Sequence, residues 1–147
     1  MPPGVGVLCL ERPGQHLDAL KKQLLPFKLG LGGRLGTGKQ WISWISLEDE
    51  VAAIIHLLTT DKVEGPVNVT SPEPVTNTEF TATLARVLKR PAVLPVPTKA
   101  LHALFGREMT EEMLLGGQRV LPAALELSGF TFDHPALEGA LRHTLGR

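Results

Sequence analysis

The stretch GGRLGTGKQWISWISLEDEVAAIIHLL (Gly32–Leu58) decides how the chain is to be read. From Gly33 it fits G-x-x-x-x-G-K, a phosphate-binding loop up to its last position, but Gln40 stands where a Ser or Thr hydroxyl would ligate Mg²⁺. Such a loop must also run from a buried strand directly into a helix N-terminus whose N–H groups face the phosphates. Upstream, LLPFKLGL is broken by Pro26 and Gly30; downstream, the Trp and Ile residues of QWISWIS suit a strand. The glycines therefore form a tight connection into a strand, on the surface, with Lys39 beside a cleft. Alternation points Trp41, Ser43 and Ile45 to one face and Ile42, Trp44 and Ser46 to the other, so one indole belongs to the core and the other, Trp44, to the pocket. Next comes the clearest helix. Ser46 is its N-cap, Glu48, Asp49 and Glu50 suit the positive end of its dipole, and Val51, Ile54, Ile55 and Leu58 form its apolar face.

Outward from this unit, strands and helices keep alternating. VGVLCL (Val5–Leu10) is a short apolar strand, and Leu17, Leu20, Leu24 and Leu25 make the buried stripe of a helix that Pro26 closes. After Gly65 come a strand at Val67–Val69, a proline-rich turn and a helix opened by the capping box Thr76/Glu79 and followed by Pro91. A strand at Ala92–Val96 and a helix ended by Gly106 follow. The tail predicts a short helix over Thr110–Leu115, extended RVLP, a helix capped by Gly129, and a terminal helix that Asp133 caps and Pro135 opens. This order is that of an α/β chain with a partly parallel sheet.

The chain has 147 residues, the size of a single unit, with 43% hydrophobic and 20% charged residues and a formal net charge of zero. Neither nucleic acid nor an acidic membrane surface is an expected partner. Cys9 is the only cysteine, so no disulfide framework exists, and no apolar run reaches the roughly 18 residues of a membrane span. A soluble, cytoplasmic protein is expected. There is no tyrosine, which closes any mechanism needing a phenol as acid or base.

The five histidines form no i,i+4 pair, and only His134 has a carboxylate, Glu138, one turn away, so no metal site is expected. No G-x-S-x-G elbow places a nucleophile. The dinucleotide fingerprint fails as well, because the sixth position from Gly30 is Leu35. What remains is Lys28, Arg34, Lys39, Trp41 and Trp44 around the glycines. Cations and indoles beside bare backbone can clamp an anionic or sugar-bearing ligand, and Lys28, Arg34, Lys39 and Trp44 are the candidate substrate-binding residues.

PFKLGLGGRLGTGKQWISWISLEDEV (Pro26–Val51), GPVNVTSPEPVTNTEF (Gly65–Phe80), LLGGQRVLPAAL and SGFTFDHPALEGAL together resemble the C-terminal half of NAD(P)-dependent nucleotide-sugar epimerase-like proteins, a subfamily of the extended short-chain dehydrogenase/reductases. The likeness runs from about Leu24 to the C-terminus, with several motifs in the family's order. It implies the C-terminal part of a Rossmann-type fold with a small substrate-side α/β lobe, taken from a protein about twice as long. The glycine fingerprint and Tyr-x-x-x-Lys pair would lie in an N-terminal half that this chain lacks. LERPGQHLD departs from the family, and Ser46 stands where relatives often carry His. The resemblance implies an oxidoreductase or isomerase using NADP or NAD when whole, with no catalytic or cofactor-binding residue transferable to this chain. Alone, the chain is expected to be an inactive fragment that binds a small-molecule substrate of nucleotide-sugar type, binds no cofactor and self-associates. The alternative is a non-catalytic small-molecule or partner-binding module derived from that family.

Overall fold

A computed structural model describes residues 7–10, 24, 27–29, 32–61, 63–111 and 115–147. At its centre lies β2 (Trp41–Ser46), with β1 (Val7–Leu10) parallel on one side and β3 (Val75–Thr76) antiparallel on the other. The register sets Leu8 opposite Trp44 and Leu10 opposite Ser46, and Ile42 opposite Val75. The partly parallel α/β arrangement expected from the sequence is present.

Local chemistry explains where the helices begin. Helix α1 (Leu47–Thr59) leaves β2 without a loop because the last strand residue is also the cap: the Asp49 amide donates to Ser46 Oγ at 3.1 Å. Helix α2 (Asn77–Leu88) starts from the complete capping box, the Thr76 amide donating to Glu79 Oε2 at 2.7 Å, and ends on Lys89 in the left-handed conformation. Helix α3 (Thr98–Phe105) stops at Gly106, and after a three-residue turn, α4 (Arg107–Met109), helix α5 (Ala123–Leu127) is followed by Gly129, both glycines having positive φ. The last helix is α6 (Leu137–Thr144).

Helices α2 and α6 cover one face of the sheet. Trp44 is fully buried there among Leu10, Phe80, Leu84 and Leu141, and its indole N–H donates to the Glu73 carbonyl at 2.8 Å. Across the sheet, Ser43 staples an extended segment to β2: its hydroxyl donates to the Gln118 carbonyl at 2.9 Å and accepts from the Val120 amide at 3.1 Å.

Several expectations need correcting. Helix α1 turns Ala53 and Asp49 inward, and Val51, Ile54, Ile55 and Leu58 lie exposed, up to 81% at Leu58. Its phase is set by the buried Asp49, not by the apolar stripe. Among the described residues Val67–Val69 joins no ladder; its continuation touches β2, with the Ser71 amide donating to the Trp44 carbonyl at 2.7 Å. Ala92–Val96 contributes a single bridge, Val96 to Leu35. Of the short helix expected over Thr110–Leu115, the described part follows directly on α4 and is closed by the Leu115 amide, which donates to the Thr110 carbonyl at 2.9 Å; positions 112–114 lie outside the described residues. Asp133 does not cap α6, which starts at Leu137 after Ala136 with no side-chain cap. The helix read over Gln15–Leu25 and the first residues of the Val5–Leu10 strand also lie outside the described residues, Leu24 excepted.

Candidate cleft beside the glycine-rich loop

Loop 32–40 is pinned on two sides. Toward the 94–96 segment, the Gly36 amide donates to the Val96 carbonyl at 3.1 Å and the Val96 amide to the Arg34 carbonyl at 2.9 Å. Toward α2, the Leu35 amide donates to Asn77 Oδ1 at 2.8 Å, while the Thr78 amide and hydroxyl both donate to the Gly38 carbonyl, at 3.0 and 2.9 Å. Gly38 has φ +70° and lies against Thr78 Oγ1, so a side chain at this position would be both strained and obstructed. The loop is thus a fixed structure that presents Lys39 outward.

Beside it opens a cleft of about 380 Å³ lined by Thr37, Lys39, Gln40, Trp41, Thr98, Leu115 and Gly117. Gly117 lets its backbone run directly against that of Trp41, where a side chain would collide with the Trp41 carbonyl. The Arg119 guanidinium sits 5.2 Å from the centre of the Trp41 ring and steadies that indole by cation–π attraction. Gln40 is turned partly inward, donating to the Leu35 carbonyl at 3.2 Å. Among the described lining residues Lys39 is the one charged side chain, and none is a carboxylate, imidazole or thiol. A cation, an aromatic plane and two threonine hydroxyls suit binding of an anionic or hydroxyl-rich ligand; they offer no acid–base pair.

Of the residues expected from the sequence, Lys39 lines this cleft. The two indoles do divide between core and cleft, but in the opposite sense: Trp44 is buried in the core and Trp41 lines the cleft. Arg34 is exposed, with its stem beside Gly38, and Lys28 is exposed on the helical piece at 27–28; neither lines the cleft. Thr98, Leu115 and Gly117 were not singled out by the sequence, for they reach the cleft only through the pairing of Leu35 with Val96 and of Ser43 with Gln118.

Residues 96–144 match a domain of unknown function, DUF1731. Epimerase family protein Mb2239 of Mycobacterium bovis is 49% identical over 121 residues, which are 82% of this chain and 40% of that protein. The solved structure of human epimerase family protein SDR39U1 with NADPH superposes with a TM-score of 0.86 at 36% identity, over 96% of this chain and 46% of that one. This chain matches the C-terminal part of the epimerase family proteins. It spans less than half the length of the curated relatives it matches. A nucleoside-diphosphate sugar epimerase from Corynebacterium glutamicum also superposes, with a TM-score of 0.65 at 28% identity, over 95% of this chain and 25% of that one. The epimerase-family match agrees with the α/β architecture and with a Rossmann-like fold of which this chain forms the C-terminal part. No helix among the described residues is long and apolar enough to cross a membrane.

Proposed function

We propose that this chain is the substrate-side portion of an NAD(P)-dependent epimerase or oxidoreductase, and that its cleft holds a nucleotide-sugar ligand. The observation that carries the reading is that Lys39 and Trp41 both line a cleft beside a pinned glycine loop. Lys39 would give a charge-assisted bond to a diphosphate oxygen, Trp41 a flat apolar surface for a base or sugar ring, and Thr37 and Thr98 hydrogen bonds to sugar hydroxyls. The NADPH in the human relative's structure and the nucleoside-diphosphate sugar epimerase among the structural neighbours support that chemistry. Hydride transfer and proton exchange would fall to residues outside this chain, which has no tyrosine, so alone it would be inactive and would serve in a cytoplasmic protein of about twice its length.

The test exploits the presence of only two tryptophans. In a proton–nitrogen correlation spectrum, titration with a UDP-sugar is expected to move the Trp41 indole signal and the amides of Lys39, Thr98 and Gly117, and to leave the Trp44 indole signal still. Shifts confined to other surfaces, or none at millimolar ligand, would refute it. A second reading has its own support: the exposed Val51, Ile54, Ile55 and Leu58 on α1 suit a partner-binding module or a self-associating chain.

A further inference from the structure

Away from the cleft, three potential metal ligands from three parts of the fold converge. Glu48 lies in the first turn of α1, His143 in the last turn of α6, and His134 in the loop between α5 and α6. One ligand atom from each lies within 4.8 Å of the other two. Glu48 Oε1 is 3.2 Å from His143 Nε2, and the two imidazole rings stack with centroids 4.5 Å apart. We propose that Glu48, His134 and His143 form a binding site for one divalent transition cation of the Zn²⁺ class.

Size favours this reading. A tetrahedral Zn²⁺ with bonds of about 2.0–2.2 Å places its ligand atoms about 3.3–3.6 Å from one another. The Glu48–His143 pair already stands close to that separation. Closing the remaining pairs requires movements of at most about 1.5 Å, together with a turn of the two stacked imidazoles so that a lone pair of each aims at the ion; the ligands are exposed or half-buried. Two imidazoles and a carboxylate suit Zn²⁺ and its neighbours better than Mg²⁺ or Ca²⁺, which prefer all-oxygen ligands. Exposure of Glu48 and His143 leaves a path for the ion and an open position for water.

The backbone under the site is fixed from below. Asp49, only 1% exposed, receives the Asp133 amide at 2.7 Å on Oδ1 and the His134 amide at 3.0 Å on Oδ2, and Ser46 Oγ donates to Oδ2 at 2.8 Å. Consecutive residues of α1 thus divide the work: Asp49 faces inward and holds the His134 loop, and Glu48 faces outward as a ligand. A simple ion pair between Glu48 and His143 would explain their contact but would not involve His134 in ion binding.

The test uses the full chain, stripped of metal with a chelator and titrated with Co²⁺ and, by calorimetry, with Zn²⁺. The expected result is one equivalent bound, with the visible absorption of tetrahedral Co²⁺ and with Zn²⁺ shifting the His134 and His143 imidazole resonances. Each of Glu48→Gln, His134→Gln and His143→Gln should weaken binding by more than the about 10–100-fold that losing an outer partner costs, whereas His102→Gln should leave it unchanged. No saturable binding, equal affinity in the three variants and the parent chain, or Zn²⁺ shifts confined to other histidines would each overturn the proposal. The resonance shifts decide the matter even if a variant fails to fold.

Discussion

Replacing Asp49 with Ala should be among the most damaging polar substitutions in the chain. The carboxylate is buried, and among the described residues no cation pairs with it; it accepts instead from the Ser46 hydroxyl and from the Asp133 and His134 amides at the head of α1. Hydrogen bonds to a charged group contribute about 1.5–3 kcal/mol each, but not additively. Water can reach Asp133, which is exposed, and recover part of the loss. A net destabilisation of about 2–4 kcal/mol follows, or a fall in Tm of about 6–12 °C at roughly 3 °C per kcal/mol. Asp49→Asn should cost less, because its amide keeps one acceptor, yet it must set an NH₂ group against a backbone N–H. Urea denaturation measures the free energy, and hydrogen exchange should speed up at the amides of Asp133 and His134 before other sites. A loss below about 0.5 kcal/mol for Asp49→Ala would refute the view that this carboxylate ties the 133–134 loop to α1.

Trp44→Ala should cost about 3–5 kcal/mol by chemical denaturation, whereas Trp41→Ala should cost about 1 kcal/mol or less, since Trp44 is fully buried and Trp41 is not. Hydrogen bonds from the Thr76 amide, and then from its hydroxyl, hold the Glu79 carboxyl below its ordinary value of 4.5. A carboxylate depressed in the folded state contributes stability above its unfolded value and loses it as the pH falls through the folded one, so the deficit of Glu79→Gln, about 0.5–1 kcal/mol at neutral pH, should shrink below about pH 4.5. Sedimentation should show association that grows with concentration and that Ile55→Glu with Leu58→Glu suppresses; a cooperatively melting monomer would favour a self-contained domain.

How much of this was legible in the sequence depended on distance along the chain. The caps at Ser46 and Thr76 were readable because donor and acceptor are three residues apart. The alternation of β2 was likewise local, and it separated Trp41 from Trp44; which face became the core was decided by α2 and α6, whose Phe80, Leu84 and Leu141 lie far along the chain from that strand. The apolar stripe of α1 misled for a related reason. Periodicity identifies Val51, Ile54, Ile55 and Leu58 as one face, but the inward face was fixed by Asp49 bonding to residues 84 and 85 positions away. Asp133 has the residue type of a helix cap, but its amide is taken up by Asp49 and α6 begins four residues later. The strand-like sequences at Val67–Val69 and Ala92–Val96 had the right residues, but among the described residues the first joins no ladder and the second pairs only through Val96 with Leu35. The Glu48–His143 contact joins residues 95 apart, a convergence that spacing alone could not reveal.

If the cleft beside Lys39 is a substrate site and the dinucleotide is held elsewhere in the intact protein, the two ligands must behave differently toward this chain. Calorimetric titration with a UDP-sugar and, separately, with NADPH tests this most directly. Expected are saturable heat with the UDP-sugar that Lys39→Ala weakens by about 1–3 kcal/mol without altering the melting temperature, and no NADPH binding tighter than about 100 μM, roughly 5.5 kcal/mol. Tight NADPH binding that Lys39→Ala abolishes would contradict it, since the cleft would then be the cofactor's.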